Sequence, residues 1–133
     1  MEQTELFKTG DRLRRAVLGK AYVEKSTANV DSFNQPMQQL TTEFCWGAIW
    51  GRDDLPKKTR SMLNIAMLCA LNRPHELRMH IGGALRNGVT KEEIRGVLLQ
   101  VTVYCGVPAG VDAFRIARET FEAFDPADIG SAA

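Results

Sequence analysis

The sequence is short of most devices that hold or equip a chain by covalent or ionic means. Its 133 residues include only three cysteines, Cys45, Cys69 and Cys105, far apart and odd in number. That argues against a secreted disulfide framework and for a reducing compartment, the cytoplasm. No Cys-x-x-Cys occurs, so zinc ribbons and dithiol redox centres lack their usual ligands. There is no glycine-rich phosphate loop and no Gly-x-Ser-x-Gly turn. No uncharged apolar run approaches the length of a membrane span, and the acidic opening from Met1 to Glu5 lacks the apolar region of a signal peptide. Nor does one sign of charge dominate: 17 Lys and Arg stand against 16 Asp and Glu, a net charge of +1. Such a balance gives no global field for nucleic acid or for a membrane surface.

What the chain does have is helical periodicity, with almost no strand-like alternation. Leu6 to Leu18 reads as a basic amphipathic helix stopped by Gly19, and Ala21 to Asn34 as a weaker segment. Pro36 suits the first turn of a helix running through Leu40, Phe44 and Trp46 towards Trp50. After the loop Gly51 to Asp54, a helix from Pro56 to about Leu71 is apolar on nearly every side and is expected to be central. Pro74 opens another, with Gly88 as its stop. Thr90 and Glu93 have capping-box form ahead of Ile94, Val97, Leu98 and Val101. A last helix is expected from about Pro108 to Phe124, and a loose tail from Asp125. The expectation is an all-α, single-domain bundle of about six helices over 1–133, with a core of about 34–124 and an N-terminal helical extension 1–33.

Few residues offer chemistry. His75 and His80 are five apart and diverge by about 140° around a helix, so the pair does not make a metal site and no metal is expected. Glu76 and His80 are one helical turn apart, where a carboxylate can orient an imidazole and favour its protonated form. By spacing alone, a half-buried histidine bonded to its neighbour is the plainer reading. Arg60 begins the most apolar helix, so it must pair either with a structural carboxylate or with an anionic ligand. Trp46 and Trp50 stack along one edge beside Arg52, which suits a core or a subunit interface as well as a site wall. Tyr104 precedes the Gly106/Pro108 break and can present its hydroxyl to a cavity. The cysteines have no basic neighbour arranged to activate them and read as packing.

Five segments, Trp46-Gly47-Ala48-Ile49-Trp50, Thr59-Arg60-Ser61, Glu76-Leu77-x-x-His80, Ala84 to Ile94 and Tyr104-Cys105-Gly106-Val107-Pro108, together resemble the 4-carboxymuconolactone decarboxylases, as does Arg15 to Gly19. The resemblance runs from about Phe7 to Phe124. It implies the all-helical fold of the alkylhydroperoxidase-D-like superfamily, assembly as trimers or hexamers, and a pocket near His80. The disulfide reductases of that superfamily carry Cys-x-x-Cys-x-x-x-His; with the histidine on His80, the thiol positions fall on Glu76 and Arg73, so a thiol mechanism does not carry over.

The implied reaction is loss of CO₂ from 4-carboxymuconolactone to give β-ketoadipate enol-lactone, in aromatic (protocatechuate) catabolism. No cofactor is expected, because the unsaturated lactone accepts the electrons itself. That chemistry suggests His80 as proton donor with Glu76 orienting it, and Arg60 or Arg52 on the acetate carboxylate of a dicarboxylate lactone. Trp46 and Trp50 would wall the departing carboxylate, and water or Tyr104 is the alternative proton source. The rival readings are an antioxidant of the alkylhydroperoxidase type, a non-catalytic helical binding module, and a decarboxylase of another carboxylated lactone. The missing Cys-x-x-Cys opposes the first, and Glu76, His80 and Arg60 together oppose the second.

Overall fold

Thr4 starts the first helix by accepting a hydrogen bond from the Phe7 amide at 3.1 Å, which satisfies one of the free N–H groups of the opening turn. The helix, α1 (Glu5–Leu18), carries Phe7, Gly10, Leu13, Val17 and Leu18 on its buried face, and Gly19 ends it. The computed structural model describes residues 1–133, all-helical and without a strand, as two compact units, Met1–Pro56 and Lys57–Ala133.

In the first unit α1 is followed by α2 (Lys20–Ala28) and α3 (Gln35–Leu40). Between α2 and α3 the chain turns on Asp31 and Asn34: the Asp31 carboxylate accepts from the Phe33 and Asn34 amides at 2.9 and 3.1 Å. The chain then widens into a π-helical segment, Thr41–Ile49, closed by the Trp50 amide donating to the Cys45 carbonyl at 3.0 Å. The sequence predicts one ordinary helix from Pro36 towards Trp50; nine of those residues are wound more loosely. This segment meets α1 backbone to backbone. A Cβ at Gly10 would overlap the Thr42 carbonyl oxygen, and one at Gly47 would press on the Leu6 carbonyl, so both crossing points need glycine.

The second unit consists of α4 (Lys57–Ala70), α5 (Pro74–Arg86), α6 (Lys91–Cys105), α7 (Val107–Ala123) and a short 3₁₀ turn, Pro126–Asp128. Ile65, Leu77, Ile81, Leu85, Ile94, Leu98 and Ile116 form its core. Gly88, at φ 85°, stops α5 where a side chain would be strained. Thr90 and Glu93 make the full capping box of α6, with both bonds at 3.0 Å.

Two expectations need correction. The apolar α4 packs on α5, α6 and α7 but is not covered on every side: Leu63 and Met67, with Leu71 just past its end, form a ridge that is 46, 52 and 63% exposed. The helix that is buried is α5, through Leu77, His80, Ile81, Gly82, Gly83, Ala84 and Leu85. Apolar content alone does not tell a core face from a face left outward. The tail is also not loose, because the Gly130 and Ala132 amides donate to the Leu85 and Arg86 carbonyls at 3.0 and 2.9 Å. The Leu85 carbonyl, which also accepts from the Gly88 amide at 3.1 Å, and the Arg86 carbonyl at the end of α5 give the tail its place.

Candidate active site

Pro74, in the first turn of α5, fixes the start of the helix, so Glu76 and His80 lie one turn apart along it. His80 is buried, at 9% exposure, while Glu76 is half-buried and His75 exposed. From α4, the Asn64 amide nitrogen lies 3.4 Å from His80 Nδ1. With the amide donating, Nδ1 is the acceptor and the ring proton of the neutral imidazole sits on Nε2. Arg60, half-buried in the first turn of α4, is one turn before Asn64 on the same side of that helix. A second buried polar bond holds this end of α4 in register with the end of α5: Asn87 Nδ2 donates to Ser61 Oγ at 2.9 Å.

The charge state of His80 differs from expectation. Burial pushes its pKa down from 6.5 to about 4; the Glu76 carboxylate acts in the opposite direction and is outweighed. The spacing correctly places a carboxylate beside the imidazole, but desolvation of the cation is the larger effect. His80 is therefore a neutral imidazole at neutral pH.

In the first unit Trp46 and Trp50 stack with ring centroids 4.9 Å apart and planes at 25°, each only 3% exposed. Arg52 lies at the surface, where its Nε and Nη2 bond the Asp54 carboxylate at 2.9 and 2.7 Å. Tyr104 is 80% exposed, on an open, mostly apolar groove of about 310 Å³ shared with Met67 and Ala70 of α4. Of the three cysteines, only Cys69 is buried, its thiol pushed up to about 11 chiefly by that burial. Cys45 and Cys105 are exposed, so packing describes one of the three and not all.

Sequence reasoning missed Asn64, Ser61 and Asn87. The available signal was an asparagine inside an apolar helix, one turn after Arg60. It also missed Arg14, which lies buried in a helix read as basic and amphipathic.

Residues 35–119 match the profile of the carboxymuconolactone decarboxylase family. That stretch holds Trp46, Trp50, Arg52, Arg60, Glu76, His80 and Tyr104. A 4-carboxymuconolactone decarboxylase of Acinetobacter baylyi is 41% identical over 122 residues, 92% of this chain and 91% of the relative. A nitrosuccinic acid decarboxylase of Metarhizium robertsii is 40% identical over 115 residues, 86% of this chain and 80% of the relative. An uncharacterized 15.0 kDa protein of Paracoccus denitrificans is 35% identical over 82 residues, 59% of this chain and 60% of its own length.

Proposed function

Since the chain belongs to the carboxymuconolactone decarboxylase family, we propose that it is a carboxy-lyase converting 4-carboxymuconolactone to β-ketoadipate enol-lactone and CO₂ in aromatic catabolism. The observation that carries this reading is the 41% identity to the Acinetobacter decarboxylase over 92% of the chain. The carboxylate to be lost sits on the γ-carbon of an unsaturated lactone. As the C–CO₂ bond breaks, its electron pair passes through the C=C bond into the lactone carbonyl and forms an oxyfuran-type dienolate. A proton added at the α-carbon completes the product. The substrate is its own electron sink, so the reaction calls for no cofactor.

His80 begins the cycle as a neutral imidazole. A bound dianion reverses the balance that keeps it neutral, because adjacent negative charge favours the imidazolium. The site thus takes up a proton together with its substrate, and His80 holds that proton for the α-carbon. Glu76 adds to the same bias. In the imidazolium both ring nitrogens carry protons, so the Asn64 amide turns to present its oxygen to Nδ1 in place of its nitrogen, and the Nε2 proton is the one transferred. Of the two arginines suggested by the sequence, we place Arg60 on the substrate's negative charge, because it stands one turn before Asn64 on the same side of α4, and Asn64 touches His80.

The exposed apolar ridge of α4, with Leu99, Val103, Val107 and Val111 also uncovered on α6 and α7, supports a homo-oligomer, trimer or hexamer, as the working form. Three free cysteines support a reducing, cytoplasmic setting.

A second reading, decarboxylation of a nitro-substituted dicarboxylic acid, is favoured by the Metarhizium relative, because a nitro group is also an electron sink beside the breaking bond. Steady-state assays with both substrates decide between them. A higher kcat/KM for 4-carboxymuconolactone, followed by loss of its butenolide absorbance, is expected; a higher value for nitrosuccinate would replace the first reading by the second.

A further inference from the structure

Arg14 is the one arginine of the chain that is buried, at 7% exposure. Its partners are both neutral: Nη1 donates to Gln38 Oε1 of α3 at 2.9 Å, and Nη2 to Ser26 Oγ of α2 at 3.3 Å. Nε is buried with no acceptor at all. The nearby carboxylate that could neutralise it, Asp11, is bonded instead to Arg15 at 2.9 Å. Four other arginines find carboxylates at or near the surface: Arg15 with Asp11, Arg52 with Asp54, Arg78 with Glu119, and Arg115 with Asp112 and Glu119. A sequestered guanidinium without a counter-ion is an expensive arrangement for a purely structural clamp, because an amide and a hydroxyl do not offset the lost hydration of a cation. Burial draws its pKa down accordingly, with Tyr22 and Asp11 acting the other way.

We propose that Arg14 is a carboxylate-binding residue, whose guanidinium receives a carboxylate of the ligand in place of the Gln38 oxygen. A charge-assisted bond to a carboxylate is roughly twice as strong as one to a neutral oxygen, and the planar fork of Arg fits it bidentately. Gln38 is well placed to yield, since α3 is six residues long, buries none of them and has no side-chain cap at its start. The assignment rests on the decarboxylase reading only in this, that the ligands are carboxylic acids. Both substrates named for the relatives keep a second carboxyl group after one is lost, so the same residue serves either.

The test is calorimetric binding of succinate and of its monoamide, succinamate, to the whole wild-type protein, Arg14→Met and Arg14→Lys. Wild type is expected to prefer succinate by about tenfold or more, Arg14→Met to bind the two alike, and Arg14→Lys to keep a reduced preference. The same preference in wild type and Arg14→Met, or no succinate binding by wild type at millimolar concentration, overturns the proposal. If Arg14→Met does not fold, Arg14→Lys decides: a clamp that needs only positive charge leaves the preference intact, and a carboxylate fork loses part of it. Arg14-dependent succinate binding without CO₂ release from 4-carboxymuconolactone would remove the decarboxylase reading and leave the carboxylate site standing.

Discussion

His80→Gln exchanges a buried imidazole for a side chain that does not titrate, and the exchange should alter how stability depends on pH. The folded-state pKa of His80 is about 4, below the ordinary 6.5. The unfolded chain therefore binds the extra proton first as the pH falls. The neutral imidazole's contribution is complete above about pH 6.5 and is lost progressively between there and about pH 4. A gap of this size corresponds to about 3 kcal/mol over the full window, of which about 2 kcal/mol is lost between pH 7 and pH 4.5. Urea unfolding of wild type and His80→Gln at pH 7, 5.5 and 4.5 measures this directly. The carboxylates titrate alike in both proteins, so the difference isolates the imidazole. In a His75→Gln background one imidazole remains, and its NMR titration midpoint is the independent check. Parallel stability profiles through that window, or a midpoint near 6.5, would refute the argument that burial outweighs Glu76.

Four further outcomes follow from the same structure. His80→Ala should lower kcat by about 10²–10⁴-fold with a much smaller change in KM, and Glu76→Gln should move the basic limb of the kcat profile to lower pH, because the carboxylate raises the imidazole pKa; near-normal kcat in His80→Ala would make the pair structural. Gly10→Ala should cost about 3 kcal/mol or more in chemical denaturation, since the added Cβ overlaps the Thr42 carbonyl oxygen. Replacing Cys45, Cys69 and Cys105 by Ser or Ala should leave turnover within a few-fold of wild type and change mainly stability, as measured by steady-state kinetics and thermal melts. Light scattering should give a mass several times the 14.8 kDa of one chain, the exposed ridge of α4 being covered by another copy.

The features legible in the sequence are those encoded by neighbours along the chain. Thr90 and Glu93 announce their capping box because each needs only the other. Gly19, Gly88 and Pro74 mark ends and starts where they were read. The resemblance carried by Trp46 to Trp50, Glu76 to His80 and Tyr104 to Pro108 gave the family that the comparisons show. What was hidden depends on distant partners. The π winding of Thr41–Ile49 leaves the local apolar pattern unchanged, and Gly10 and Gly47 declare their purpose only once their helices cross. The protonation state of His80 is a contest between burial and Glu76, and sequence shows only the second contestant. Asn64 joins the site across a helix pair, and Arg14 looks like one more surface cation until α2 and α3 close over it.

The central claim is tested most directly with 4-carboxymuconolactone carrying ¹³C in its γ-carboxyl group, turned over by wild-type protein before and after thiol alkylation. The account predicts one ¹³CO₂ released for each lactone consumed, at a rate that alkylation changes by no more than a few-fold. No labelled CO₂, or turnover abolished by alkylation, would contradict it.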